Sequence, residues 1–208
     1  MTAARSLPSP PDPPDPTTTD HFVYLRDVSW REYEALLAMR GERSVPRITY
    51  LNGVLELMSP SRYHESDKKK FARLVEAWAE ETGTFLEGVG SWTLKDSRED
   101  RGAEPDECYT LNRVPASHDD RPDIAIEVIW TSGGIDKLEV YRKLRVREVW
   151  IYERGALRFF TLRVERYEEI ARSELLPAFD HELVLRCMTE ASQVDAVRAL
   201  RTGLRAGR

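Results

Sequence analysis

Three acidic residues and one lysine stand where the surrounding pattern does not ask for charge. Asp106 opens the strand-like run Pro105–Leu111, Asp123 and Glu127 lie in Pro122-Asp123-Ile124-Ala125-Ile126-Glu127-Val128, and Lys137 follows in Asp136-Lys137-Leu138. Read as a strand, the second segment puts Ile124, Ile126, Val128 and Trp130 on one face and Asp123, Ala125, Glu127 and Ile129 on the other. A strand apolar on nearly both faces belongs inside a sheet covered by helices. Glu127 is then a carboxylate in a water-poor place, which is costly unless it is paired or holds a metal. Lys137 shares a helical stripe with Val140, Tyr141 and Leu144, at i+3, i+4 and i+7. An inward lysine needs a partner, and Glu127 is near in the chain; otherwise its stem packs and its head snorkels to the edge.

Convergent carboxylates with a lysine suit phosphodiester hydrolysis. A divalent ion polarises the phosphoryl group and supplies a nucleophilic water near neutral pH. Magnesium keeps several waters, so one or two carboxylates suffice. A lysine beside that water can orient it, and can take its proton if a dry site lowers the lysine's pKa. Judged alone, Asp106 and Asp123 each follow a proline, and an Asp in that place is more often a turn former than a site residue.

The elements that must position these groups are partly legible. Residues 1–20 are dominated by Pro, Ser, Thr and Asp and are expected to be disordered, leaving 21–208 as a single domain. Ser29 and Glu32 form a capping box for a helix that stops at Gly41. Asn52-Gly53 between apolar runs signals a hairpin. A long helix from about Ser61 to Glu81 carries the stripe Phe71, Leu74, Val75, Trp78, which His64 extends toward the sheet. Short strands and a charged loop, Lys95–Arg101, fill 84–111. After strand 122–130, Gly133-Gly134 leads to a short helix, about 136–144. Runs at 149–152 and 157–164 read as strands, and the last thirty residues as helical with a break at Leu175-Leu176-Pro177. Trp78, Trp130, Trp150 and Tyr152 are assigned to the core. The pattern is α/β, a sheet with helices on both sides.

Composition excludes several classes. The 208 residues are 41% hydrophobic and 32% charged, as in a soluble globular protein. No stretch approaches the roughly 18 apolar residues of a membrane span, and no secretory signal is evident, so a cytoplasmic protein is expected. Cys108 and Cys187 are expected to be free thiols. A net charge of −5 argues against clinging to duplex DNA by charge alone, but suits a site that holds cations.

Arg47-Ile-Thr-Tyr-Leu-Asn-Gly-Val-Leu-Glu-Leu-Met-Ser-Pro60 with His64, then Gly90-Ser-Trp-Thr93, Glu104–Tyr109, Pro122–Val128, Asp136–Tyr141 and Val146–Trp150, together resemble the Uma-two family, over roughly residues 25 to 190. These are restriction endonucleases of the restriction-endonuclease-like, PD-(D/E)XK superfamily. The resemblance implies a central mixed sheet flanked by helices, with an N-terminal helix and hairpin added. It implies a Mg2+- or Mn2+-dependent hydrolase cutting DNA, with Asp106 and Glu127 as metal ligands and Lys137 assisting the water. The superfamily's lysine usually sits two residues after the second acid, where this chain has Ile129; the resemblance implies that the following helix supplies it instead, as Lys137. Arg145 and Trp130-Thr131 depart from the family's common Gly and Leu-Ser, at positions of turn geometry. Asp123 lies about 13 Å from Glu127 along one strand and is assigned a structural or supporting role. His64 either positions substrate or caps the helix; Glu56 has no assigned role. Cutting both strands of a duplex would favour a homodimer. The alternatives are an inactive nucleic-acid-binding or regulatory module on this scaffold, and a structural role with the carboxylates satisfied in the core.

Overall fold

The computed structural model describes residues 18–117, 120–131 and 134–207. The expected disorder of residues 1–20 falls, up to residue 17, outside the described residues, as does Gly133. Asp20, by contrast, is buried.

Two sheets carry the fold. The first has the order β1-β3-β2-β6-β5, formed by β1 (His21–Leu25), β2 (Arg47–Leu51), β3 (Val54–Ser59), β5 (Leu94–Asp96) and β6 (Arg101–Ala103). The second has the order β11-β10-β9-β8-β7-β4, from β4 (Leu86–Gly88), β7 (Glu107–Leu111), β8 (Ile124–Ile129), β9 (Glu148–Glu153), β10 (Ala156–Arg163) and β11 (Arg166–Ile170). It is mixed: β8 and β9 run parallel and its other pairs are antiparallel. A parallel pair needs a crossover, which α3 (Lys137–Lys143) provides.

The hairpin of β2 and β3 forms because Asn52 and Gly53 both accept positive φ, +48° and +79°. Helix α1 (Trp30–Arg40) starts at the Ser29–Glu32 capping box and ends at Gly41. Helix α2 (Arg62–Thr82) starts at Ser61, whose hydroxyl accepts the His64 N–H, and ends on left-handed Gly83.

Helix periodicity and strand alternation then decide the layers. Phe71, Leu74, Val75 and Trp78 of α2 meet Ile124, Ile126 and Val128 of β8, together with α4 (His181–Met188) and α5 (Gln193–Ala206). The opposite face of β8 offers Ala125, which packs with Val140, Tyr141 and Leu144 of α3. That cluster also holds Leu94 and Ala103 of the first sheet, so α3 lies between the two sheets. The first sheet's outer face, Ile48, Tyr50 and Leu55, packs on Tyr33 of α1. Tyr33 lies so close to Gly102 that a Cβ there would meet its hydroxyl at 2.0 Å.

The structure differs from the sequence reading in four places. Strands β1 and β11 carry no strong alternation and are read only from their partners. The charged stretch 95–101 is not a free loop but the turn of the β5–β6 hairpin. Trp130 is not in the core: it is 39% exposed at the end of β8. Lys137 pairs with a different acid from the one expected, as described next. Cys108 and Cys187 are free and buried, and burial pushes the Cys108 thiol up to about 12.

Candidate active site

Strand β3 alternates in a way that separates oil from charge. Leu55 faces the α1 core, so Glu56 must face the other way, toward the second sheet. Register places Thr49 directly opposite Glu56 on β2 and Tyr24 opposite it on β1. Opposed residues of antiparallel strands share a face, so Phe22, Tyr24, Thr49, Glu56 and Met58 form a polar-aromatic surface under α3.

Lys137, the first residue of α3, reaches down onto that surface. Its Nζ donates to Thr49 Oγ1 at 2.6 Å and lies 3.5 Å from Glu56 Oε1. Glu56 Oε2 accepts the Ile135 N–H at 2.9 Å. Glu56 is only 1% exposed, while the Lys137 side chain is 24% exposed. The lysine therefore does face inward, but its carboxylate partner is Glu56. Glu127 is engaged by Tyr141, whose hydroxyl donates to Oε1. Burial, then the Glu127 charge, hold the Tyr141 phenol well above its ordinary value, so it remains a donor. Burial followed by the Glu56 charge raises Tyr24 likewise.

Glu56, Glu127 and Lys137 line one cleft of about 230 Å³, with Asp20, Phe22, Asp136 and Ile151 among its walls. Glu56 and Glu127 are both buried acids, and among the described residues Lys137 is the only basic side chain lining the cleft.

Asp106 stands behind this cleft rather than in its wall. Asp106 N–H donates to Ile126 O although Glu107 is the residue paired with Ile126, so the ladder slips there. Such a slip re-aims a side chain: Oδ2 accepts the Val128 N–H at 2.6 Å, in place of a backbone carbonyl. Oδ1 meets His64 Nε2 at 2.9 Å and the Arg47 guanidinium. His64 Nδ1 lies 3.2 Å from Asp20 Oδ2, and Asp20 Oδ1 accepts the Ser61 N–H at 2.7 Å. Burial pushes the Asp20 carboxyl up, but its hydrogen bonds to His64 and Ser61 and the charge of His64 outweigh burial and hold it below its ordinary 3.8. Asp20 N–H in turn donates to Thr131 Oγ1 at 3.1 Å. One buried chain thus runs from the end of β8 through Asp20 and His64 to Asp106.

The family model described as "Putative restriction endonuclease", named Uma2, matches residues 30–192. The chain belongs to the Uma2 family. That match spans Glu56, His64, Asp106, Glu127 and Lys137, and leaves Asp20 and Phe22 outside it. A crystal structure titled as a putative nuclease belonging to DUF820 from Anabaena variabilis is similar at 14% identity, covering 78% of this chain and 96% of that one, with a TM-score of 0.48. No curated protein matches. The mixed sheet with helices packed on it agrees with the α/β class expected from the sequence.

Within this Uma2 chain the structure brings Glu127 and Lys137 to one cleft and leaves Asp106 in the adjoining network with His64. Asp123 sits at the opposite end of β8: Oδ2 accepts the Leu111 N–H at 2.9 Å and Oδ1 the Arg147 guanidinium at 3.1 Å. Glu104 stitches α1 to the first sheet through Arg40 at 2.5 Å and Ile48 N–H at 3.0 Å. Sequence reasoning gave Glu56 and Tyr141 no chemical part. Glu56 had a visible signal, a single acid within Val54-Leu55-Glu56-Leu57-Met58, the same signal that marked Glu127. Asp20 had none, being the last residue of a proline-rich stretch.

Proposed function

We propose that this chain is a divalent-metal-dependent endonuclease that hydrolyses phosphodiester bonds of DNA, with Glu127 and Asp106 as metal ligands and Lys137 beside the attacking water. The observation that carries the reading is the cleft lined by the buried carboxylates of Glu56 and Glu127 and by Lys137, with Asp106 in the network adjoining it. A surplus of buried negative charge is costly unless a cation joins it.

The donor chemistry fits a hard cation. Among the described residues no three His, Cys, Asp or Glu side chains gather to cage a metal by themselves. Magnesium does not require that, since one or two carboxylates and waters complete its octahedron. Among the described residues Glu127 is bonded only at Oε1, and Asp106 Oδ2 takes a single N–H, which leaves each an open lone pair. When bound, the metal supplies charge neutralisation at the phosphoryl oxygens and an acidified water.

The chain's own residues do the rest. Tyr141 fixes the Glu127 carboxylate, so it does not reorganise as charge develops. Glu56 and Thr49 hold the Lys137 ammonium at the cleft, where it orients a water and donates to an oxyanion. Asp20 and His64 set the direction of Asp106. Among the described residues no helix is long and apolar enough to cross a membrane.

A second reading, an inactive nucleic-acid-binding or regulatory module, is favoured by one observation: Arg47 and His64 already engage Asp106. The test is cleavage of plasmid and single-stranded DNA in Mg2+ or Mn2+ by wild type and by Glu127→Ala. Cleavage by wild type alone is expected. Equal cleavage by both rejects the assignment, and metal-independent binding with no cleavage establishes the second reading.

A further inference from the structure

Beside the cleft lies a feature that the proposed chemistry does not use. Tyr63 of α2 and Trp130, just past β8, stack with centroids 5.6 Å apart and planes 16° apart. They are 49% and 39% exposed, and neither joins a core cluster. Large aromatic rings normally serve folding by burial; these two hold each other and present their remaining faces to solvent.

Their place in the chain ties them to the candidate site. Tyr63 precedes His64, and Trp130 lies three residues after Glu127. Asp20 joins both supporting segments, through Ser61 N–H and Thr131 Oγ1. The indole is fixed, since Trp130 Nε1–H donates to Thr18 O at 2.7 Å. Arg62, next to Tyr63, is exposed and has no ion-pair partner among the described residues. A fixed, partly exposed ring pair is the usual stacking element of a surface that binds single strands, where bases lie on aromatic rings.

We propose that the Tyr63–Trp130 stack is a platform for an unpaired base of the strand whose phosphodiester enters the cleft. The proposal rests on the nuclease reading and adds the substrate class: a single-stranded or locally unpaired segment. Bases inside a duplex already have both faces covered by their neighbours and offer none to a protein ring. A base freed from its stack does, whatever its identity, so the platform selects strandedness rather than sequence.

The test uses the full chain and 20-nucleotide DNA and RNA oligonucleotides carrying one 2-aminopurine, each as single strand and as duplex. Binding is followed by anisotropy and 2-aminopurine quenching in calcium, with the oligonucleotide checked intact on a gel. The single strand is expected to bind more tightly than the duplex and to be quenched at one position. Tyr63→Leu and Trp130→Leu are each expected to weaken single-strand binding roughly 5- to 150-fold, from the range of base–aromatic stacking energies. Tyr63 is the safer variant because it is half exposed, and melting curves confirm that both variants fold. Equal affinity for duplex and single strand, no binding to either, or unchanged binding by both folded variants overturns the proposal. So does an effect of the variants confined to sedimentation, which would make the patch a contact between copies. Mg2+-dependent cleavage measured alongside separates the two readings. Glu127-dependent cleavage without stacking sinks the platform alone, whereas stacking without any cleavage sinks the nuclease.

Discussion

Lys137 Nζ lies 3.5 Å from Glu56 Oε1, so a lysine of the second sheet's crossover helix is held by an acid of the first sheet. The two sheets therefore meet through a charge pair at the candidate site. Glu56 is almost fully buried, and truncating one member of a buried pair leaves the other uncompensated. Glu56→Ala is expected to lower stability by about 3 kcal/mol and to lower cleavage by at least tenfold. Urea melts and single-turnover cleavage check both.

Gly134 offers a gentler way to test the same acid. Its φ is +117°, and a Cβ there would meet Glu56 Oε2 at 2.7 Å. Gly134→Ala must push that carboxylate aside or strain the backbone. Cleavage is expected to fall while Glu56 itself is intact; unchanged cleavage would show that the position of Glu56 does not matter to the chemistry.

Tyr141→Phe removes the donor to Glu127 and nothing else. Both groups are buried, so the unsatisfied carboxylate should cost about 1–3 kcal/mol, read as a lower urea midpoint. Metal affinity measured by calorimetry should fall as well, because Glu127 loses its fixed orientation.

Much of this was legible in the residues. The alternation in Ile124–Val128 separated two faces and called for helices on both sides, and those faces pack on α2 and α3. The capping box at Ser29, the Asn52-Gly53 turn and the inward His64 likewise follow from local chemistry. What was not legible depends on which strands become neighbours. The pairing of Thr49 and Tyr24 with Glu56 is a matter of sheet register, and no spacing within β3 announces it. The slipped ladder at Asp106 is also invisible locally, yet it decides that this acid points along the sheet toward Val128. Trp130 was misplaced because it continues the apolar face of β8 beyond the point where α2 covers it.

Asp20 makes the acid limb of stability informative. Its folded pKa lies below 3.8, so its contribution is fully present above the unfolded value and is lost as pH falls through the folded value. Wild type should lose stability between about pH 4 and its folded pKa, and Asp20→Asn should lose less over that window. Urea midpoints from pH 6 to pH 3 check this; parallel curves would remove Asp20 from the network that holds His64.

Gly102 tests the packing that supports the first sheet. A Cβ there would meet Tyr33 Oη at 2.0 Å and Cζ at 2.5 Å, and Tyr33 is fully buried. Gly102→Ala should destabilise by about 1–3 kcal/mol through overpacking, and thermal melts should show a matching drop in Tm.

The most direct measurement is anomalous diffraction from a manganese-soaked crystal. An ion is expected bonded to Glu127 and within ligand distance of Asp106, with water completing its shell. A crystal held at millimolar manganese that shows no ion at Glu127 would contradict it.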